Sequence, residues 1–127
     1  NIISTIHSDR ALNIPMRMYS LLESSQDIDQ FLKSIHRYVQ IGIHVKGYMS
    51  KELNRFQREI IEVVEFYVDN NNEAGSNIIF KKSLDGKFSF NNPSKYLIDY
   101  LGVQGVDIDP EYFVKSNKTN TDQIESL

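Results

Sequence analysis

Two apolar patterns at helical spacing, joined by a short segment with two glycines, constrain the fold of this chain most. The first pattern repeats every three or four residues and comprises Ile28, Phe31, Leu32, Ile35 and Val39. The second has the same spacing and comprises Leu53, Phe56, Ile60, Ile61, Val64 and Val68. Because such spacing places side chains on one face of a helix, we predict amphipathic helices at about 27–40 and 51–69. Gly42 and Gly47 mark an unusual backbone segment between them.

The remaining elements are predicted from capping and turn residues. Asn13 followed by Ile14-Pro15 indicates the start of a short helix, and Asn92-Pro93 indicates another that ends at Gly102. Asp85-Gly86 between two short apolar runs favours a β-hairpin near 78–90. The predicted fold class is therefore mainly α with one small hairpin. Residues 1–115 are expected to form a single α-rich domain, and the polar segment 116–127 is expected to be disordered.

Composition limits the classes of partner. The chain has 127 residues and a net charge of −3, so its overall charge does not favour binding to nucleic acid or to an anionic membrane. It has no cysteine and no apolar run long enough to span a bilayer. We therefore expect a cytoplasmic protein that binds neither nucleic acid nor membranes.

Motifs of catalysis and metal binding are absent from the sequence. The three histidines, His7, His36 and His44, are not spaced as paired metal ligands. There is no glycine-rich phosphate loop and no Gly-x-Ser-x-Gly motif. We predict that the chain is not an enzyme, has no catalytic residue and has no metal site.

One string of residues resembles a known family. The string is Ile41-Gly42-Ile43-His44-Val45-Lys46-Gly47-Tyr48-Met49. It is similar to the segment of globin-like sensor domains that links the iron-binding helix to the next helix. Val39-Gln40-Ile41-Gly42-Ile43 looks most like the non-haem members, which include stressosome coregulators and sporulation-control sensor proteins. Tyr38 stands where the haem-binding members have the iron-ligating histidine, so we do not expect haem.

The resemblance implies globin-like helical packing around an apolar pocket that takes a fatty-acid-like ligand. Within that pocket, Lys46 or His44 would meet an anionic headgroup, because a buried carboxylate needs a charged or hydrogen-bonding partner. The resemblance also implies a homodimer that modulates a signalling partner such as a sensor kinase or regulator. The predicted ligand-binding residues are Tyr38, His44, Lys46, Tyr48, Ile35, Phe56 and Ile60.

The alternative hypothesis is a ligand-free α-helical module that binds another protein. It depends on the predicted helix 51–69, in which Phe56, Phe66 and Tyr67 are too many aromatic residues for one narrow core stripe. Some of them would then face a protein partner or a second copy.

Overall fold

The computed structural model describes residues 3–22, 27–109 and Glu111 as an α+β fold built on one antiparallel sheet. The sheet has four strands in the order β1-β2-β3-β4. A 3₁₀ turn at Ala11–Asn13 precedes the first helix. The helices are α1 (Ile14–Leu21), α2 (Ile28–Tyr38) and α3 (Lys95–Val103). The strands are β1 (Ile41–Ser50), β2 (Arg55–Val68), β3 (Ala74–Lys82) and β4 (Phe88–Phe90).

The prediction of a mainly α fold with globin-like helical packing is wrong. The predicted long helix at 51–69 is largely strand β2, which pairs with β1 on one side and with β3 on the other. The reason lies in residue type: seven of the nine residues from Ile60 to Val68 are β-branched or aromatic. These side chains lose rotamer freedom in a helix and pack well on a pleated sheet. This preference outweighed the helical spacing of the apolar positions.

The segment with two glycines is an edge strand rather than a join between helices. Gly42 is buried, and a Cβ atom there would lie 2.8 Å from Ile14 Cδ1 and 3.0 Å from Phe66 Cε2. The glycine therefore allows the helical layer to approach β1 closely. The chain reverses after β1 in the turn 51–54, where Ser50 Oγ accepts a hydrogen bond from the Leu53 amide at 3.3 Å. Asn54 completes this turn with φ of 48°.

The shorter predicted elements are present, with shifted ends. In α2, the Asp27 carboxylate accepts a hydrogen bond from the Asp29 amide at 3.2 Å, as expected of an N-cap. Helix α3 is capped by Ser94 and not by Asn92. The hairpin predicted near 78–90 exists as the β3–β4 pair, but it belongs to the larger sheet.

The core lies between the sheet and the N-terminal helical layer. Its buried centre consists of Ala11, Val64 and Phe66. Helix α2 contributes His36, whose ring meets the Phe66 ring edge-to-face with 5.2 Å between centroids. On the opposite side of the sheet, α3 covers only the end near Tyr67, where the Tyr67 and Tyr96 rings stack with 4.7 Å between centroids.

The predicted domain 1–115 does not have the α-rich character expected of it, because the sheet dominates the described part. The predicted tail, 116–127, lies outside the described residues. Within the described ranges, no helix is long and apolar enough to cross a membrane.

Candidate functional site

Seven large apolar side chains are exposed on one face of the sheet, which we call the open face. Each is between 39% and 65% exposed, Ile41 being the least and Met49 the most accessible. The members are Ile41, Ile43, Val45, Met49, Phe56, Ile60 and Phe88.

Strand register shows that these side chains share a face. Residues directly opposite each other in neighbouring antiparallel strands project to the same side. Val45 lies opposite Ile60, and Met49 lies opposite Phe56. A row across all four strands runs through Ile43, Val63, Phe80 and Phe90. The open face is therefore continuous from the edge strand β1 to the edge strand β4.

Part of the open face extends beyond the body of the sheet as a two-stranded arm. The arm comprises Val45–Ser50, the turn 51–54 and Arg55–Ile60, and the pairing of β2 with β3 begins only at Glu62. On the arm, the Phe56 ring covers Gly47, where a Cβ atom would overlap with the ring. Arg58 Cζ lies 5.2 Å from the centroid of the same ring. The arm thus presents an apolar surface with one cation on it.

Three phenylalanines form the other end of the open face. The Phe80 centroid lies 5.1 Å from that of Phe90 and 6.3 Å from that of Phe88. Phe88 and Phe90 meet edge-to-face at 5.9 Å. This cluster fixes the rings of β3 and β4 in place, and the Phe88 side chain remains 43% exposed.

Two glutamates of β2, Glu62 and Glu65, are buried in the sheet. Glu62 Oε2 accepts hydrogen bonds from Arg10 Nη2 at 2.8 Å and Nε at 3.2 Å, and Oε1 accepts one from the Leu12 amide at 3.2 Å. Burial by itself would raise the pKa of Glu62, but the hydrogen bonds and the Arg10 charge outweigh it, so the pKa lies below its ordinary value of 4.5. Glu62 thus attaches the N-terminal segment to the sheet.

Glu65 plays the corresponding part on the other side of the sheet. Its Oε1 accepts hydrogen bonds from the Ser94 amide at 2.6 Å and from Asn77 Nδ2 at 2.8 Å. Its Oε2 is buried without a hydrogen-bond partner among the described residues. Glu65 therefore attaches the start of α3 to the sheet, which leaves the rest of the open face uncovered by α3.

The structure does not bring the predicted ligand-binding residues around one pocket. Tyr38 ends α2 with 80% of its side chain exposed, and Ile35 is half-buried one turn earlier in the same helix. His44, Lys46 and Tyr48 alternate along one side of β1.

The other two predicted residues, Phe56 and Ile60, belong to the open face, on the opposite side of the sheet from His44, Lys46 and Tyr48. The globin-like arrangement of these residues is therefore wrong. Whether the chain binds a fatty acid stays a prediction.

Two shallow hollows occur elsewhere in the described structure. One of about 620 Å³ lies between the N-terminal segment and α1, next to His7, Asp9 and Arg17. Another of about 230 Å³ lies between α2 and α3, next to His36 and Tyr96. Neither is lined by a predicted ligand-binding residue. Among the residues that the structure describes, no group of three histidine, aspartate or glutamate side chains is placed to hold a metal ion.

Most of the open face was missed by the sequence-based prediction, although the sequence contains a signal for it. In the string from Ile41 to Met49, apolar residues or glycine occupy every odd position, and His44, Lys46 and Tyr48 occupy even ones. Such alternation is typical of a strand with one apolar face. If the segment had been interpreted as a strand, this alternation would have identified Ile43, Val45 and Met49 as members of one apolar face. Phe88 lay in the predicted hairpin but had no assigned role.

Comparisons with known proteins gave no match, either to protein-family models or to curated proteins.

Proposed function

We propose that this chain is a non-catalytic protein-binding module and that the open face is its binding surface. The main support is that seven half-exposed apolar side chains of β1, β2 and β4 share one face of the sheet, where Val63, Phe80 and Phe90 connect them across β3. Contiguous apolar patches larger than those of ordinary monomers commonly mark interaction sites.

The size of the open face supports a specific interface. From the exposed fractions, the seven residues, with their backbone atoms included, present roughly 700 Å² of surface, against ~300–600 Å² for the largest apolar patch on a typical monomer. A standard protein–protein interface covers about 800 Å² on each partner. The open face is therefore large enough to form most of one side of such an interface.

The charge on the open face indicates the chemistry of the partner. Arg58 is held over the Phe56 ring, and within the described part of the chain it has no ion pair. An arginine stacked on an aromatic ring keeps its donors available for a carboxylate. The proposed partner is a protein with an apolar surface and an aspartate or glutamate placed to meet Arg58. Aromatic residues and arginine are also the residues that contribute most to binding in protein interfaces.

The proposal includes a cytoplasmic location, which suits a chain without cysteine. A signalling or regulatory protein is the class of partner that the resemblance to sensor domains implies, and that class stays a prediction.

The test compares proteins captured by matched baits from a lysate of the source cells. Phe56→Ser combined with Phe88→Ser removes apolar contacts at two ends of the open face. Val103→Ser changes an apolar side chain that is 84% exposed at the end of α3 and is not one of the seven open-face residues. We expect a protein that the wild type and Val103→Ser retain and the double variant loses.

The captured protein is then purified and its dissociation constant is measured directly. We expect the double variant to weaken binding at least about tenfold, as loss of aromatic contacts in an interface does. Arg58→Gln should weaken it less and should reduce the dependence of binding on salt. Equal binding by the wild type and the double variant would rule the open face out. A double variant that loses stability instead would show that these side chains pack within the chain.

A further inference from the structure

Strand β1 is a free edge of the described sheet, with a neighbouring strand on one side only. The amide of Phe66 donates to the Gln40 carbonyl at 2.9 Å, so the Gln40 carbonyl points toward β2. Because backbone groups alternate along an antiparallel strand, those of the odd-numbered residues point away from β2. The outward-pointing residues are Ile41, Ile43, Val45, Gly47 and Met49.

This edge has few of the features that keep strand edges from pairing. Native monomers protect exposed edges with short strands, prolines, bulges or several charged side chains. Strand β1 is ten residues long, contains no proline and carries Lys46 as its only lysine. The irregularity near His44 and Val45 places the extra residue, Ile61, on β2 and not on β1. The outward backbone groups of β1 are thus presented along an uninterrupted strand.

The side chains of β1 are arranged to match a second β1. All five residues with outward backbone groups are apolar or glycine, and all five project to the open face. In an antiparallel pair, directly opposite residues share a face, so apolar side chains would meet apolar ones. A two-fold axis makes such a contact self-complementary.

We propose that β1 pairs antiparallel with β1 of a second copy, with Val45 opposite Val45 of that copy. Val45 is the midpoint of Ile41–Met49, so this register pairs all five outward-pointing residues. A shift of the register would leave outward groups unpaired at the ends. Lys46 lies opposite His44 of the second copy, so the two lysines do not oppose each other.

The resulting dimer has a continuous eight-stranded sheet with the two open faces side by side. This inference goes beyond the proposed function and is independent of it, because the pairing depends on the backbone of β1. The proposed function depends on side chains that reach as far as β4. Each proposal can fail without the other.

The absence of cysteine from the chain allows a test of the register. Val45→Cys places two thiols across the proposed axis, where directly paired Cα atoms lie about 5.5 Å apart, within the ~4.4–6.8 Å that a disulfide spans. Tyr48→Cys is the matched control on the same strand. In the proposed register Tyr48 lies opposite Gly42 of the second copy, roughly 20 Å from its own counterpart at ~3.4 Å per residue.

We expect Val45→Cys to form a covalent dimer under mild oxidation and Tyr48→Cys to stay uncrosslinked. Non-reducing electrophoresis measures both, and circular dichroism confirms that both variants fold. Equal crosslinking of the two variants would overturn the proposed register.

Sedimentation tests the dimer itself. The wild type should sediment as a dimer. Val45→Lys opposes two charges at the axis and should raise the dissociation constant at least about tenfold. Tyr48→Lys, on the other side of the strand, should leave the dimer intact. A wild type that is monomeric at every accessible concentration would overturn the proposal, as would Val45→Lys that dimerises like the wild type. The double variant at Phe56 and Phe88 should still dimerise, which separates this result from the test of the open face.

Discussion

The two halves of β2 lie in opposite environments although they belong to one strand. In the half from Glu62 to Val68, Val64 and Phe66 are 0% and 4% exposed and pack beneath the N-terminal helical layer. In the half within the arm, Phe56 and Ile60 are about half exposed, and only β1 lies beside them. Apolar residues in the first half therefore stabilise the fold. Those in the arm contribute little to it, which leaves their surface available to a partner.

Truncation of one phenylalanine in each half tests this comparison with the largest expected effect. Phe66→Ala removes a buried ring and should lower the free energy of unfolding by about 3–5 kcal/mol. Phe56→Ala should lower it by less than about 1 kcal/mol, because the ring is already half in water. Urea denaturation followed by circular dichroism measures both. Equal losses would contradict the division of β2 into a packed half and an exposed half.

The two glycines of β1 give a second matched pair. Gly42→Ala places a methyl group against Ile14 and Phe66 in the core and should cost about 1–3 kcal/mol, because the packed neighbours must shift. Gly47→Ala should cost less than about 0.5 kcal/mol, since the half-exposed Phe56 ring can rotate away. Urea denaturation midpoints of the two variants and of the wild type measure both losses of stability. A larger loss at Gly47 would show that the arm is packed in solution.

Loss of the Arg10–Glu62 interaction should have a smaller effect that depends on pH. Arg10→Met should cost about 1–2 kcal/mol at neutral pH, since it leaves Glu62 buried without its charged partner while Arg10 itself is partly exposed. The folded-state pKa of Glu62 is lowered, so its contribution is present above the unfolded-state pKa and is lost as the pH falls through the folded-state pKa.

The wild type should therefore lose stability in acid, below about pH 4.5, more steeply than Arg10→Met does. Urea midpoints measured across this range for both proteins provide the test. Parallel pH profiles would show that Glu62 does not respond to Arg10.

The smallest effect is expected where the arm joins the packed half. Lys82 Nζ lies 2.7 Å from Glu59 Oε2, but both side chains are about one-third exposed. Partly solvated ion pairs add little to stability. Lys82→Met should therefore leave the urea midpoint within experimental error. A clear loss would mean that this ion pair, and not the strand pairing alone, fixes the arm to the sheet.

Local sequence signals sufficed for the helices and for the β3–β4 hairpin. Asp27, Pro15 and the Asp85-Gly86 turn act through neighbours within a few residues, so their effects can be identified without the tertiary fold. They could not decide between helix and strand for β2, because its apolar positions satisfy both spacings. The positions of the candidate site residues depend on whether β2 is a helix or a strand. The open face was therefore not predicted from the sequence.

By itself, the sequence determined where α1, α2 and α3 form, where the Asp85-Gly86 turn lies and which residues are apolar. The tertiary structure decided which of the apolar residues are buried. Val64 and Phe66 are covered because Gly42 lets the N-terminal helices approach, and Ile60 and Phe56 remain exposed because β3 ends before it reaches them. Burial depends on contacts between segments far apart in the chain, and strand register fixes those contacts. The apolar pattern of a single strand does not determine which strands and helices pack against it, so it does not determine burial.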